Sequence, residues 1–205
     1  MKHVSWIAAG VLASALVRPA AAERFEIGGG DASLVKFESK APVETFEGKT
    51  HAVSGTLDVD PAALGDTLAI SVIVEMAKLD TGIALRNRDM RENHLHTDKF
   101  PHATFEGGKI VEGGGGTLTA GTTRRVTLAG KLTIHGVTKD VSVPVDLTWD
   151  GAASVTVGSE FTVALADYTI PRPQFLVMKL GEVQKVSVSL VAKRPEPAAA
   201  PAEAK

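Results

Sequence analysis

Histidines form the pattern in this chain that is closest to known site chemistry. His94 and His96 are separated by one residue, and His102 follows close behind. A His-x-His pair in an extended segment can offer two imidazoles to a zinc ion. On a helix the same two side chains point apart, and no carboxylate stands at a fixed ligand spacing beside them. We therefore predict no metal site, with zinc as the alternative.

Three arginines precede these histidines and could meet an anionic head group. Arg86, Arg88 and Arg91 lie within six residues of one another, and a guanidinium fork matches both phosphate and carboxylate. The same arginines can instead pair with neighbouring acidic residues in a solvated charge network. If the chain binds a ligand with a polar end, the candidate contacts are Arg86, Arg91 and His94.

Catalytic motifs are absent from the sequence. It contains no cysteine, no Gly-x-Ser-x-Gly elbow and no His-Glu-x-x-His motif. Asp58 and Asp60 share one face of a strand, but they lie beside Pro61, where acidic residues commonly flank turns. We predict no catalytic residues and no cofactor. The alternative is an enzyme whose site is assembled from scattered residues, in which His94 would be essential.

Strands must position these side chains, because apolar residues recur at every second position. The clearest runs are residues 68–76, 126–134, 141–149, 155–165 and 186–192, and earlier runs cover 33–40, 43–49 and 51–59. An apolar stripe opposite a polar face is typical of antiparallel strands with one buried and one solvated side. Asp150-Gly151 predicts a hairpin turn, and Pro144 predicts a sheet edge or bulge.

Several of these runs reach ten residues, against five or six for an ordinary strand. Long strands with one apolar face tend to close into a barrel, which removes exposed edges. We predict an all-β fold, a single antiparallel barrel of eight strands. Such an interior either fills with side chains or holds one small ligand. The valine-rich stripes and few aromatic residues favour a cavity, and a filled barrel is the alternative.

The residues predicted to line this cavity are apolar members of the alternating stripes and of the segment before residue 105. They are Phe37, Ile70, Val72, Val74, Met90, Leu95, Phe100, Phe105, Leu132, Ile134, Val143, Val145, Leu147, Phe161 and Val163.

Residues 83–95 break the alternation and predict one short helix, with Thr81 as its N-cap. Few apolar residues share one face of this segment, since Ile83 and Met90 are seven residues apart. A helix that buries so little is suited to a position near the end of the barrel.

Both ends of the chain are predicted to lie outside the barrel domain, residues 23–194. Residues 1–22 have a basic start, an apolar run and Ala20-Ala21-Ala22 before Glu23, as in a cleaved signal peptide of a periplasmic protein. The alternative, a membrane anchor, needs a run of about 20 apolar residues. Residues 195–205 are rich in Pro and Ala and predict a disordered tail.

Cleavage after residue 22 would leave 20 basic and 24 acidic residues, a net charge of −4. That balance argues against nucleic acid as a partner and against electrostatic attachment to an anionic membrane. We also expect no membrane span in the mature chain, and the sequence leaves the oligomeric state open.

Two motifs resemble the YceI-like family of lipocalin-like barrels. They are the run Met90-Arg91-Glu92-Asn93-His94-Leu95-His96-Thr97-Asp98-Lys99-Phe100-Pro101 and the run Leu132-Thr133-Ile134-His135-Gly136-Val137-Thr138-Lys139. The resemblance covers residues 31–194 and implies a periplasmic protein that binds a polyisoprenoid, such as a polyprenyl or quinone tail, in its interior. It also implies that the histidine motif is structural.

The late segment Asp167-Tyr168-Thr169-Ile170-Pro171 departs from the family's Asp-aromatic-Gly-Ile run, because Thr169 replaces the glycine, and an arginine common just before this run is absent. This departure leaves the head group undetermined. We therefore predict a binding or carrier protein for a long apolar ligand. The alternatives are a filled-barrel stress or interaction module and a lipid-modifying enzyme.

Overall fold

The computed structural model describes residues 22–40, 45–65, 68–175 and 178–195. The predicted signal peptide and the predicted tail lie almost wholly outside these residues. Among the described helices, none has the length and apolar composition needed to cross a membrane.

Strands account for most of the described residues. They are β1 (Glu23–Ile27), β2 (Leu34–Lys40), β3 (Thr45–Thr50), β4 (Val53–Val59), β5 (Ala69–Glu75), β6 (His102–Glu112), β7 (Thr123–Ile134), β8 (Val137–Trp149), β9 (Ser154–Ala164), β10 (Gln174–Phe175), β11 (Met178–Lys179) and β12 (Val183–Lys193). The short strands β10 and β11 pair only with each other, and the other ten form one sheet.

The sheet closes into an antiparallel barrel of eight long strands. Its order is β1-β4-β5-β6-β7-β8-β9-β12, and β12 pairs with β1 to complete the ring. β2 also pairs with β12, and β3 pairs with β2. β1 and β2 are therefore the two halves of one bent strand, and β3 and β4 are the two halves of another. This confirms the predicted fold.

The bend between β1 and β2 follows from the sequence Gly28-Gly29-Gly30, which weakens a strand. Gly30 takes a φ of 88°, which suits glycine. The bend is fixed by Ser33, whose side chain is fully buried. The Ser33 hydroxyl accepts a hydrogen bond from the Val191 amide at 3.3 Å, and its carbonyl accepts one from Nδ1 of His51 at 2.7 Å.

Backbone pairing between β8 and β9 stops partway along the two strands. Pairing of these strands runs from Trp149↔Val155 to Asp146↔Gly158 and goes no further. Pro144, two residues beyond, has no amide hydrogen to donate, and its carbonyl accepts from the Ser159 hydroxyl at 2.6 Å instead. Tyr168, in the turn Ala166–Tyr168 that contacts both strands, is 3% exposed and closes this gap. Burial raises the pKa of its phenol, with a further contribution from Asp167.

The interior is packed at one end and hollow at the other. Large side chains with almost no exposure fill the end near the β8–β9 turn, among them Phe25, Leu57, Leu118, Leu147 and Val155. The turn itself is the predicted one, with Gly151 at a φ of 88°. The filled-barrel alternative therefore describes one end only.

The predicted helix is present but shorter than expected. α1 covers Ala84–Asp89 and continues as a π-helical turn, Met90–His94. The prediction of Thr81 as N-cap was wrong, since Ile83 holds that position without a side-chain cap. The reason is that Thr81 bonds to Asn87 instead, through its amide at 2.8 Å and its hydroxyl at 2.7 Å to Oδ1.

Candidate ligand-binding site

The hollow end of the barrel contains an inner chamber of about 160 Å³. Alternate residues of seven strands point into it, because side chains on one face of a strand recur with period two. Its accessible wall is apolar. The lining comprises Val35, Lys36, Phe37, Ile70, Val72, Val74, Met76, Leu79, Ala103, Thr104, Phe105, Leu128, Leu132, Ile134, Val143, Val145, Val157, Ser159, Phe161, Val163, Val186, Val188 and Leu190.

An outer chamber of about 270 Å³ lies between the inner chamber and α1. The two chambers adjoin each other and are together called the channel; they share the wall residues Phe37, Met76, Leu79, Ile134, Val163 and Val186. The outer chamber adds Phe46, Arg86, Asp89, Met90, His94, Leu95, Leu165, Ile170, Pro173, Leu180 and Gln184. Asp89 is more than half exposed, so the channel reaches the surface beside α1.

Most residues predicted to line a cavity face this channel. Eleven of them face the inner chamber, namely Ile70, Val72, Val74, Phe105, Leu132, Val143, Val145 and Phe161, together with Phe37, Ile134 and Val163 at the junction. Met90 and Leu95 face the outer chamber.

Two predicted lining residues lie elsewhere, and these two assignments are corrected. Leu147 belongs to the packed end: it is fully buried and lies two residues beyond Val145 on the same face of β8. Phe100 packs beside the β7–β8 turn, with its ring 4.5 Å from that of His135. A Cβ on Gly136 would lie 2.6 Å from the Phe100 ring, so this glycine makes room for it.

Of the predicted head-group residues, Arg86 and His94 face the outer chamber and Arg91 does not. The Arg86 guanidinium lies 4.1 Å from the centre of the Phe46 ring and donates to the Thr81 hydroxyl and carbonyl, both at 3.0 Å. Arg91 instead lies near Asp80. The pKa of Asp80 is lowered by the Gly82 amide and the Asn87 side chain, with smaller contributions from Lys49 and Arg91.

His94 joins the helix to the segment that closes the wall. Its Nδ1 donates to the Pro171 carbonyl at 2.8 Å, and its Nε2 lies 3.3 Å from Asp89 Oδ2. Arg88 pairs with Glu92 at 3.1 Å on the exposed side. The two interpretations of the charged helix therefore apply to different residues. Arg88 and Glu92 belong to a solvated charge network, whereas Arg86 and His94 face the channel.

His96 and His135 form a second link at the same end. Nδ1 of His96 lies 2.9 Å from Nε2 of His135, and Nδ1 of His135 lies 3.2 Å from the Tyr168 carbonyl. Because that carbonyl can only accept, His135 in its neutral form donates from Nδ1 and accepts from His96 at Nε2. His96, His135 and Thr169 have φ values of 45°, 51° and 55°. These strained residues all lie where the helical segment meets the 165–171 segment. The left-handed φ at residue 169 is one that glycine adopts without strain.

The remaining candidate clusters have structural roles. The Arg24 guanidinium donates to both Asp58 oxygens at 2.8 Å and lowers the pKa of this carboxyl. Asp60 accepts from the Ala62 amide at 2.9 Å in a turn. Within the part of the chain that the structure describes, no three or more His, Asp or Glu side chains could hold a metal ion.

Sequence reasoning missed several wall residues for which a signal existed. Val186, Val188 and Leu190 continue one alternating stripe, and Gln184 is in phase with it. A polar residue at an inward position of an apolar stripe is itself a signal for a site. Met76 ends the alternating run 68–76 and carried the same signal, whereas Leu79 gave none, because it follows the short 3₁₀ segment after β5.

A YceI-like domain matches residues 30–192 of this sequence. The chain belongs to the YceI-like family. Curated relatives include the UPF0312 protein VPA0850 of Vibrio parahaemolyticus, 29% identical over 62% of this chain and 65% of that protein. A UPF0312 protein of Yersinia pestis is 32% identical over 40% of this chain and 38% of that protein. The matches thus span less than two thirds of these relatives.

Solved structures share the fold of this chain. Burkholderia cenocepacia BcnA superposes with a TM-score of 0.65 at 23% identity, over 78% of this chain and 96% of that one. A polyisoprenoid binding domain from Saccharophagus degradans gives a TM-score of 0.68 at 17% identity, over 85% and 99%. At these identities the similarity shows the fold alone.

Proposed function

We propose that this protein binds one long apolar chain of the isoprenoid type along the barrel axis and carries it in the periplasm. The supporting observation is the shape of the interior. An apolar chamber is closed at one end by packed side chains, and at the other it continues into a chamber with polar groups under α1. The tail occupies the inner chamber and the polar end occupies the outer one.

The driving force is the removal of apolar surface from water. Each buried methylene contributes about 0.8 kcal/mol, at roughly 25 cal/mol per Å². A chain of many carbons therefore binds tightly without a special contact. The wall restricts the width of the chains that fit more strongly than their chemical identity.

Two observations support the isoprenoid class. The structural relative from Saccharophagus degradans is described as a polyisoprenoid binding domain. In addition, the inner wall consists largely of branched aliphatic side chains, whose methyl groups can interlock with the methyl branches of an isoprenoid.

We infer binding rather than conversion of the ligand. Among the described residues that line the outer chamber, Asp89 and His94 are the pair able to exchange a proton. They lie 3.3 Å apart, and the other His94 nitrogen is bonded to the Pro171 carbonyl. Both groups are therefore engaged in holding the helix. The periplasmic location rests on the composition of residues 1–22, which suits export.

A charge in the inner wall tests this function. Val143 is 5% exposed and faces the inner chamber, whereas its neighbour Ser142 points outward on β8. Val143→Asp should lower the affinity for a C20 isoprenoid by more than about tenfold, because an apolar wall does not solvate a carboxylate. Ser142→Asp should leave the affinity unchanged, as measured by displacement of a fluorescent fatty acid.

A second variant covers the case in which Val143→Asp does not fold. Val186→Phe adds volume at the junction of the two chambers, where the channel must admit the chain. Equal isoprenoid affinity in folded Val186→Phe and wild-type protein would contradict the proposed binding mode.

A further inference from the structure

Gln184 is a polar side chain in an otherwise apolar stripe of β12. It is 6% exposed, and it faces the outer chamber. Its Nε2 donates to the Gly181 carbonyl at 2.6 Å. This bond fixes the amide orientation, because a carbonyl oxygen needs a donor opposite it.

With the amide fixed in this way, Oε1 of Gln184 is a buried acceptor that has no hydrogen-bond partner among the described residues. Buried polar atoms are almost always paired, since an unmade hydrogen bond leaves the full desolvation cost uncompensated. Because Gln184 lines the outer chamber, its unpartnered acceptor points to a ligand that brings a donor.

The other polar groups of the chamber restrict the kind of donor. Asp89 adds a carboxylate on the helix side, and the Arg86 guanidinium in the same chamber already donates to Thr81 and lies over the Phe46 ring. A diphosphate or carboxylate head group would place negative charge near Asp89 and offer nothing to Gln184 Oε1. A quinone or an ether offers acceptors only. A hydroxyl donates one hydrogen bond and accepts others, so it can satisfy Gln184 while it accepts from water or a cationic neighbour.

We propose that the outer chamber selects apolar chains that end in a hydroxyl group, an alcohol or a phenol, and that Gln184 is the residue that reads this group. The inference rests on the proposed function, since the tail must first be held by the inner chamber. Gln184 then accepts the hydroxyl hydrogen at Oε1, and the chain extends past Val186 toward Val188 and Leu190, which follow Gln184 on the same face of β12.

Two probes with one tail test this selection. Geranylgeraniol and its methyl ether differ by the hydroxyl hydrogen and one methyl group. Wild-type protein should bind the alcohol about tenfold more tightly, which corresponds to one satisfied buried acceptor. In Gln184→Met, which keeps the length of the side chain and removes the acceptor, the two affinities should become equal.

Trp149→Phe is the matched control. Nε1 of Trp149 is also buried without a partner among the described residues, but it lies at the packed end of the barrel, outside both chambers. This variant removes one buried unpaired polar group and should keep the full preference for the alcohol.

The outcomes separate the two proposals. If wild-type protein binds neither probe, the proposed function fails. If it binds the alcohol and the ether equally, the proposed function stands and the selection by Gln184 is overturned. This comparison uses wild-type protein alone. A preference that persists in folded Gln184→Met also overturns it.

Discussion

Asp150 shows how one side chain fixes a turn. Its Oδ1 accepts from the Ala152 and Ser154 amides at 2.7 and 3.0 Å, and its Oδ2 accepts from the Ser154 hydroxyl at 2.8 Å. The pKa of Asp150 is lowered from 3.8 to about 2, and the hydrogen bonds from the Ser154 and Ala152 amides are the largest causes. Ionised Asp150 therefore stabilises the fold fully above pH 3.8, and this contribution is lost as the pH falls toward 2.

Asp150→Asn should keep the Oδ1 acceptor and lose the charge. Its stability should lie below that of wild type at neutral pH and approach it at low pH, and Asp150→Ala should be less stable than either at pH 7. A carboxyl ¹³C titration measures the pKa directly. A value near 3.8 would contradict the described turn.

At the residue scale, the sequence could show which side chains face inward but not where the cavity ends. The alternation correctly put Val143, Val145 and Leu147 on one face of β8. Whether the space beside each is empty depends on distant residues such as Phe25 and Leu57, which fill the end near Leu147. The position of Phe100 could not be predicted from the sequence either, because it depends on the contact between two turns.

At the scale of elements, the helix over the channel is held by polar bonds. α1 contains no buried residue, so packing contributes little to its position. Asn87 accepts twice from Thr81 and donates to Asp80 Oδ1 at 2.7 Å. These three hydrogen bonds of Asn87 hold the start of the helix against the loop after β5.

Asn87→Ala should therefore loosen the helix without unfolding the barrel. Three lost hydrogen bonds, at about 0.5–1.5 kcal/mol each, should raise amide exchange in residues 84–94 and ligand release by at least about tenfold. Asn93→Ala is the control, since Asn93 makes one exposed bond, to Asp89 at 2.7 Å. Equal exchange rates in the two variants would show that Asn87 does not hold the helix.

Strand β6 contains a second element-scale feature, the pair Gly107-Gly108. A Cβ on Gly107 would lie 2.7 Å from Leu128, 2.8 Å from Phe105 and 3.0 Å from Ile70, all residues of the inner wall. Gly108, at a register shift between β6 and β7, has open space around it.

Gly107→Ala should lower the free energy of unfolding by about 1–3 kcal/mol and narrow the inner chamber, because overpacking displaces wall side chains. Gly108→Ala should be neutral or slightly stabilising. Urea unfolding of both variants measures the difference, and equal stabilities would argue against the close packing around Gly107.

Sequence periodicity predicted most elements of the barrel, and the exceptions have physical reasons. Runs 33–40 and 51–59 were predicted as separate strands, whereas β2 and β4 are each half of a bent strand. A bend depends on contacts such as that of Ser33 with β12, which local patterns do not show. Pro144 did carry a signal, and it lies where the pairing of β8 and β9 stops.

At the scale of the whole molecule, one end of the barrel supplies most of the packing that stabilises the fold, and the opposite end contains the proposed binding site. Buried side chains such as Leu57, Leu118 and Val155 stabilise the packed end. The hollow end has less packing and is held by polar links, including the His96–His135 pair and the bond of His94 to Pro171. This division allows the channel to be empty while the fold remains stable.

Native mass spectrometry on the protein purified from its host, with the solvent extract identified alongside, tests the central claim most directly. We expect one apolar adduct per chain, lost on extraction and regained when a C20 isoprenoid is offered. A clean ligand-free mass, with no uptake of the offered isoprenoid, would contradict the account.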